Sequence, residues 1–278
     1  MNYPYCKTLN NGVVVPQLGL GTWKSASGKA VIDAIKYAVD AGYRSIDTAK
    51  AYRNEESVGE GIRTCGIPRE ELYVTTKIWN GDHGFENTIK GYEGSMERLD
   101  IGYIDELLIH WPTPKYNDYV ETFKAMEMLY EEGKVRAIGV CNFTIEFLEE
   151  LRKNCHITPA VNQIEMHPML IQHDLMDYCS DHGILIEAYS PLMNGGEILH
   201  NELIAEIGRK YGKTNAQVTL RFLFQLGVRI LTKSVHKERI IENQDIFDFE
   251  LSKEDMERIA TLNKGIRTCG DPNTSNFR

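Results

Sequence analysis

The chain has 278 residues, of which 42% are hydrophobic and 26% charged, with a net charge of -9 and a pI near 5.5. This is the composition of a folded globular protein able to bury a sizeable core, and it speaks against a disordered chain. The acidic balance speaks against a phosphate-backbone partner, which needs clustered Lys and Arg, so no nucleic acid is expected.

No run of about 18 apolar residues occurs, and Met1 to Leu9 lacks a charged segment leading into a long apolar one. No membrane partner is expected, and the chain reads as cytoplasmic. Cys6, Cys65, Cys141, Cys155, Cys179 and Cys269 are scattered without a Cys-x-x-Cys pair, which predicts free thiols. His167 and His173 lack a carboxylate at ligand spacing, so no metal site is expected.

In chain order, a hairpin comes first, Tyr5 to Thr8 and Val13 to Pro16, turning tightly at Asn11-Gly12. Short β-rich runs then alternate with helical patterns, the signature of a parallel sheet. The expected strands are Leu18 to Gly21, Ser45 to Thr48, Leu72 to Lys77, Ile104 to His110, Arg136 to Cys141, Ala160 to Glu165, Leu185 to Tyr189 and Arg229 to Thr232. Between them lie amphipathic segments including Lys29 to Asp40, Glu86 to Leu99, Tyr119 to Glu132, Ile145 to Lys153 and Ala216 to Leu226. In the first, Ala30, Ile32, Ala34, Ile35, Ala38 and Val39 recur at helical spacing and form a core stripe. A last helix is expected from a Ser252 N-cap to Leu262, with Asp255 completing a capping box. The polar tail from Asn263 to Arg278 reads as irregular chain, either loose or folded over one barrel end. Eight strand runs without a linker predict one (β/α)8 barrel domain over residues 1–278.

Active sites of such barrels lie at the carboxyl ends of the strands. Asp47, Lys77 and His110 end the second, third and fourth runs, and Tyr52 follows Asp47 closely. Singly, Asp47 could cap a helix, Lys77 could be solvated, His110 could be a satisfied core histidine, and Tyr52 could pack against a backbone carbonyl. On adjacent strands they fit carbonyl reduction, in which hydride reaches carbon while a proton reaches the developing alkoxide. Tyr52 is the acid, protonated at neutral pH, and Lys77 would favour its phenolate in the reverse direction. Asp47 would orient Lys77, and His110 would hydrogen-bond the carbonyl oxygen.

The run Gly42-Tyr43-Arg44-Ser45-Ile46-Asp47-Thr48-Ala49, with Tyr52, Glu55 and Val58-Gly59, resembles the first signature of the aldo-keto reductase superfamily. Val135 to Phe143 resembles a second, and Thr232-Lys233-Ser234 with Arg239, Glu242 and Asn243 a third. Leu108 to Pro112, Val161 to Gln163 and Ala188 to Leu192 fall in the family's order, so the likeness covers nearly the whole chain.

The resemblance implies a tetrad of Asp47, Tyr52, Lys77 and His110, with NADPH extended across the barrel mouth. It implies a nicotinamide stacked on Tyr189, its carboxamide on Asn142 and Gln163, and backbone at Gly195 and Gly196 beside the pyrophosphate. Lys233, Ser234 and Arg239 form the implied 2′-phosphate clamp at the start of a short helix. Thr22, Asp47, Cys141, Ser190, Leu192, Val235, His236, Glu242 and Asn243 complete the implied cofactor contacts. Trp23, Trp79 and Trp111, with Tyr52 and His110, line the implied substrate pocket.

Three residues depart from the pattern: Cys141 stands for the common serine, Thr232 for proline, and His236 for a small polar residue. The short tail resembles the compact microbial branch that includes diketogluconate reductases and prostaglandin F synthases, and it implies an open, permissive pocket. The family is often monomeric. Tyr130 to Lys134 spells the Tyr-x-x-x-Lys pair of short-chain dehydrogenases, but no Gly-x-Gly-x-x-Gly follows a first strand. The expected function is NADPH-dependent reduction of a small-molecule aldehyde or ketone. The alternative is a non-catalytic NADPH-binding sensor or auxiliary protein on the same fold.

Overall fold

In the computed structural model, which describes residues 4–278, the eight expected runs pair in parallel around a closed barrel. An antiparallel hairpin precedes them, formed by β1 (Cys6–Thr8) and β2 (Val14–Pro16). The barrel follows as β3 (Leu18–Gly21), β4 (Ser45–Asp47), β5 (Tyr73–Ile78), β6 (Ile104–Ile109), β7 (Val135–Cys141), β8 (Val161–Glu165), β9 (Leu185–Tyr189) and β10 (Arg229–Thr232). β10 pairs with β3 on one side and β9 on the other, which closes the ring and leaves no barrel strand with a free edge. Strand limits match the sequence expectation to within one residue. Leu72 drops out of β5 because its amide closes a turn onto the Arg69 carbonyl.

The period of two along each strand sorts side chains between two cores. Leu107, Ile109, Ile138, Val140, Ile164, Ile186 and Ile230 face outward into the layer shared with the helices. Tyr73, Leu108, Ala137, Cys141 and Val161 face inward and pack with Leu9 and Val15 of the hairpin. Inside the ring there is space for little at β7: a Cβ on Gly139 would lie 2.7 Å from the Val161 carbonyl oxygen.

The hairpin therefore plugs the amino end of the barrel. Burying Leu9 and Val15 contributes roughly 1.5–3 kcal/mol each. Its turn is wider than the expected two-residue form. Leu9 donates to the Val13 carbonyl at 2.8 Å, enclosing three residues, and of the Asn11-Gly12 pair only Gly12 takes a positive φ, 84°. Asn11 instead spends its side chain on the Arg136 carbonyl at 2.9 Å, pinning the plug to the floor.

Ten α-helices among the described residues form the outer layer: α1 (Lys29–Asp40), α2 (Glu55–Thr64), α3 (Phe85–Leu99), α4 (Tyr119–Glu131), α5 (Ile145–Asn154), α6 (His173–Asp181), α7 (Glu202–Tyr211), α8 (Asn215–Gln225), α9 (Lys237–Gln244) and α10 (Lys253–Ala260). The apolar stripe of α1 is buried at Val31, Ala34, Ile35, Ala38 and Val39, while Ala30 falls on the exposed side and Ile32 is half-buried. The expected capping box on α10 is only half formed. Ser252 accepts from the Asp255 amide, but the Ser252 amide donates to the Tyr211 hydroxyl at 3.0 Å, because Asp255 is taken by Lys210 and Tyr211. The helix also stops at Ala260, two residues short of Leu262.

Of the two paths left open for the tail, it takes the one over the barrel end. Lys264 and Ile266 donate to the Met169 carbonyl, and Thr268 and Cys269 donate their amides to the Glu165 carboxylate at the end of β8. Further on, Asn80 donates to the Phe277 carbonyl at 2.7 Å, and Arg278 lies over the Tyr116 ring and pairs with Asp118.

Candidate active site

β4 and β5 bring two of the candidate residues together by register and alternation. Asp47 pairs opposite Thr75, and the inward series Tyr73, Thr75, Lys77 carries Lys77 to the carboxyl mouth. Its Nζ lies 2.7 Å from both Asp47 carboxylate oxygens, 2.9 Å from the Thr48 carbonyl and 3.3 Å from the Tyr52 hydroxyl. Tyr52 sits on a single 3-10 turn, Lys50–Tyr52, directly after β4. Lys77 and Asp47 are 1% and 3% exposed, so this is an ion pair removed from water, whose geometry must offset its desolvation.

Burial acts most strongly on Lys77, to lower its pKa, but the Asp47 charge and hydrogen bond, with Tyr52 and Cys141 adding, together outweigh it and hold the ammonium above its ordinary range. Burial pushes the Tyr52 phenol well above an ordinary tyrosine, with Lys77 pulling the other way and losing. The expected easing toward phenolate is thus present only as an opposing pull. The phenol holds its proton throughout the neutral range.

His110 follows β6, its amide donating to the Ile78 carbonyl. Burial, Lys77 and His83 together lower its pKa far below the usual histidine range, so the ring is neutral at pH 7. Its ring stands edge-on to Tyr52 at 5.6 Å and to Trp79 at 5.5 Å between centroids. Nδ1 is buried without a partner, which leaves Nε2 as the nitrogen able to meet a reactant. The four expected catalytic residues therefore share one place.

The three tryptophans do not. Trp79 and Trp111 both contact Phe277, at centroid separations of 5.8 Å and 5.3 Å. Trp23 is 38% exposed, and its ring carries the Lys24 ammonium at 4.2 Å instead. Phe277, from the tail, is an aromatic neighbour of both rings that sequence reasoning missed; the lone aromatic in a polar tail was its only signal. The short tail, from which an open pocket is expected, is tied down at the mouth by Glu165 and Asn80. Midway along it a Cβ on Gly270 would lie 3.3 Å from the Trp111 ring.

Along the expected cofactor bed, Gln163 donates from Nε2 to Asp47 at 3.0 Å and to Glu187 at 3.1 Å, so Oε1 is its atom left for a ligand. Asn142, at φ 63°, donates to the His110 carbonyl and accepts from the Tyr189 hydroxyl at 2.7 Å, which fixes the half-buried Tyr189 ring. Cys141 is buried and its thiol is pushed far above the ordinary range by that burial, so it is a neutral neighbour of Lys77. Thr22 is buried with its hydroxyl on Thr48. Ser190, Met193, Asn194 and Gly195 all have positive φ, a backbone loop after β9 that includes Leu192 and leads into Gly196.

Lys233 follows β10, and Ser234 accepts from the His236 amide at the start of α9. Burial and the nearby Lys24 lower the Lys233 pKa. Lys24, Lys233 and Arg239 have no ion-pair partner among the described residues, so the rim carries uncompensated positive charge beside a helix start, suited to an anion. Lys24 was not foreseen, although it adjoins Trp23. Val235 is half-buried and Asn243 buried on the same segment, while Glu242 is occupied by the Thr214 hydroxyl at 2.6 Å.

The model of the Aldo/keto reductase family matches residues 17–264. The chain is 51% identical to the glyoxal reductase of Bacillus subtilis over 95% of each chain. It is 50% identical to the 9,11-endoperoxide prostaglandin H2 reductase of Trypanosoma cruzi, covering 98% of this chain and 96% of that one. A solved structure of a Gox0644 mutant in complex with NADPH superposes with a TM-score of 0.93 at 39% identity, over 98% of each chain.

Proposed function

The chain belongs to the aldo/keto reductase family, and from that premise we propose that it reduces small dicarbonyl compounds, with Tyr52 as the proton donor. Its activity is the NADPH-dependent reduction of an aldehyde or ketone to an alcohol. The observation that carries the assignment of roles is Lys77, which joins Asp47 and Tyr52 at the barrel mouth beside a neutral His110.

NADPH, when bound, supplies the hydride. The chain's own residues fit it: Gln163 and Asn142 for the carboxamide, Tyr189 for the ring, the positive-φ loop from Ser190 to Gly196 for the pyrophosphate, and Lys24, Lys233, Ser234 and Arg239 for the 2′-phosphate. Tyr52 gives its phenolic proton to the carbonyl oxygen as negative charge develops there. Lys77 stabilises the phenolate left behind, and Asp47 keeps the ammonium charged and aimed. His110, uncharged, orients the same oxygen through Nε2 without competing as an acid.

Two observations support a small substrate. The glyoxal reductase is half identical in sequence, and Phe277 packs against both Trp79 and Trp111, with Trp79 edge-on to His110, so aromatic rings crowd the mouth. The whole chain acts as one domain in this reading, a cytoplasmic monomer. No described helix is long and apolar enough to cross a membrane, and a net charge of -9 suits no nucleic-acid partner.

The test is a panel of glyoxal, methylglyoxal, a diketone and a steroid ketone, each with NADPH or NADH, followed by loss of reduced-cofactor absorbance. The highest kcat/KM is expected for the two-carbon and three-carbon aldehydes with NADPH. Equal efficiency with NADH would overturn the phosphate clamp, and a preference for the steroid would overturn the substrate class.

A further inference from the structure

Below the catalytic cluster the barrel holds a second set of charges that touches no reacting atom. Glu106, Glu187 and Arg229 are all at 0% exposure. Arg229 forms an ion pair with Glu187, stands 3.6 Å from Glu106, and donates to the Ser45 hydroxyl and to the Pro16 carbonyl. Tyr73 donates to Glu106 at 2.6 Å. Buried ion pairs are often no better for stability than apolar residues of the same volume, so their presence calls for another reason.

That reason lies in Gln163. Its amide has two N–H groups, and both are taken by carboxylates, Asp47 at 3.0 Å and Glu187 at 3.1 Å. Turning the amide over would set its carbonyl oxygen against two carboxylates, an arrangement without a single donor. Asp47 alone would leave one N–H free to turn outward; Glu187 removes that freedom, and Arg229 holds Glu187 in place.

We propose that Glu187, anchored by Arg229, is a positioning residue for the cofactor: it locks the Gln163 amide with Oε1 presented to the N–H of the nicotinamide carboxamide. The inference rests on the reading of Gln163 as a carboxamide ligand.

The test compares binding of NADP+ with that of its 3-acetylpyridine analogue, whose methyl ketone lacks the amide N–H, by fluorescence titration without substrate. The unmutated protein is expected to prefer NADP+ by roughly three- to tenfold, the range of one hydrogen bond. Glu187→Met strips buried Arg229 of its nearer carboxylate, leaving only Glu106 at 3.6 Å, and invites unfolding, so the informative variant is Glu187→Met with Arg229→Met, which removes both charges together. That variant, folded by thermal melt, is expected to bind both cofactors within twofold of each other. Gln163→Met is expected to do the same. If Gln163→Met keeps the preference, or the unmutated protein never shows it, the reading of Gln163 fails. If Gln163→Met loses the preference and the double variant retains it, the role of Glu187 is overturned.

The unmutated protein offers a second readout. The Gln163 side-chain amide protons, identified by their loss in Gln163→Met, are expected to exchange into D2O over minutes or longer in the absence of cofactor. Exchange within seconds would also overturn the lock.

Discussion

Tyr52→Phe separates chemistry from packing because the hydroxyl contributes so little to the resting structure. Its one hydrogen bond is to Lys77 at 3.3 Å, the longest of the four that the ammonium makes. After the substitution Lys77 still has both Asp47 oxygens at 2.7 Å and the Thr48 carbonyl at 2.9 Å, so no buried charge is stranded. The ring stays, and with it the contact to His110. The stability change is expected to remain within about 1 kcal/mol, the scale of one ordinary hydrogen bond. Turnover is expected to fall by roughly 10²–10⁴, the usual contribution of a positioned acid, equivalent to about 3–5 kcal/mol of barrier. Methylglyoxal reduction at saturating NADPH gives the rate, fluorescence quenching gives cofactor affinity, and a thermal melt gives stability. A folded variant that binds NADPH normally and keeps more than about a tenth of the turnover would remove Tyr52 from the role of acid.

Phe277→Ala removes the ring that the tail brings to the mouth. The ring is 45% exposed, so the stability loss is expected to be about 1 kcal/mol or less, while kcat/KM for bulky ketones rises relative to methylglyoxal. An unchanged ratio would mean that Phe277 does not bound the substrate. Glu106→Gln tests the buried carboxyl below the site. Burial, with Glu187 adding, pushes the Glu106 carboxyl up to about 8. Its unfolded value is about 4.3, so the folded chain holds a proton that the unfolded chain releases. The associated stability is complete below that unfolded value and is lost as pH rises toward about 8. Glutamine carries no such penalty, so in denaturant unfolding the variant is expected to gain on the parent by the order of 1–3 kcal/mol between about pH 5 and pH 8. Parallel curves would contradict the raised carboxyl.

What was legible in the chain depended on periodicity. The strands stood out because short β-rich runs, such as Leu107-Leu108-Ile109 in β6, alternate with segments of helical spacing. Asp47, Lys77 and His110 were legible because barrel enzymes collect polar groups at strand ends, where these three stand on adjacent strands. Glu106, Glu187 and Arg229 were missed for the complementary reason. They lie within strands, where a charged residue reads as a solvated position until ring closure shows that Arg229 of β10 stands opposite Glu187 of β9. The tail was illegible in a different way. It has no repeat, and its course is set by side chains that reach its backbone from afar, Glu165 to Thr268 and Cys269, and Asn80 to Phe277. The half-formed box at Ser252 failed because Tyr211, distant in sequence, competes for its amide.

The hairpin plug has a consequence for protons. Leu9 and Val15 pack against Tyr73, Leu108 and Val161, so among the described residues apolar side chains stand between the amino end and the buried Asp47 and Lys77, and water approaches them from the mouth. Reactants stop that mouth while they are bound. The phenolic hydrogen that Tyr52 brings into each cycle then has only the Lys77 ammonium protons beside it, and it is replaced from solvent after the alcohol has left.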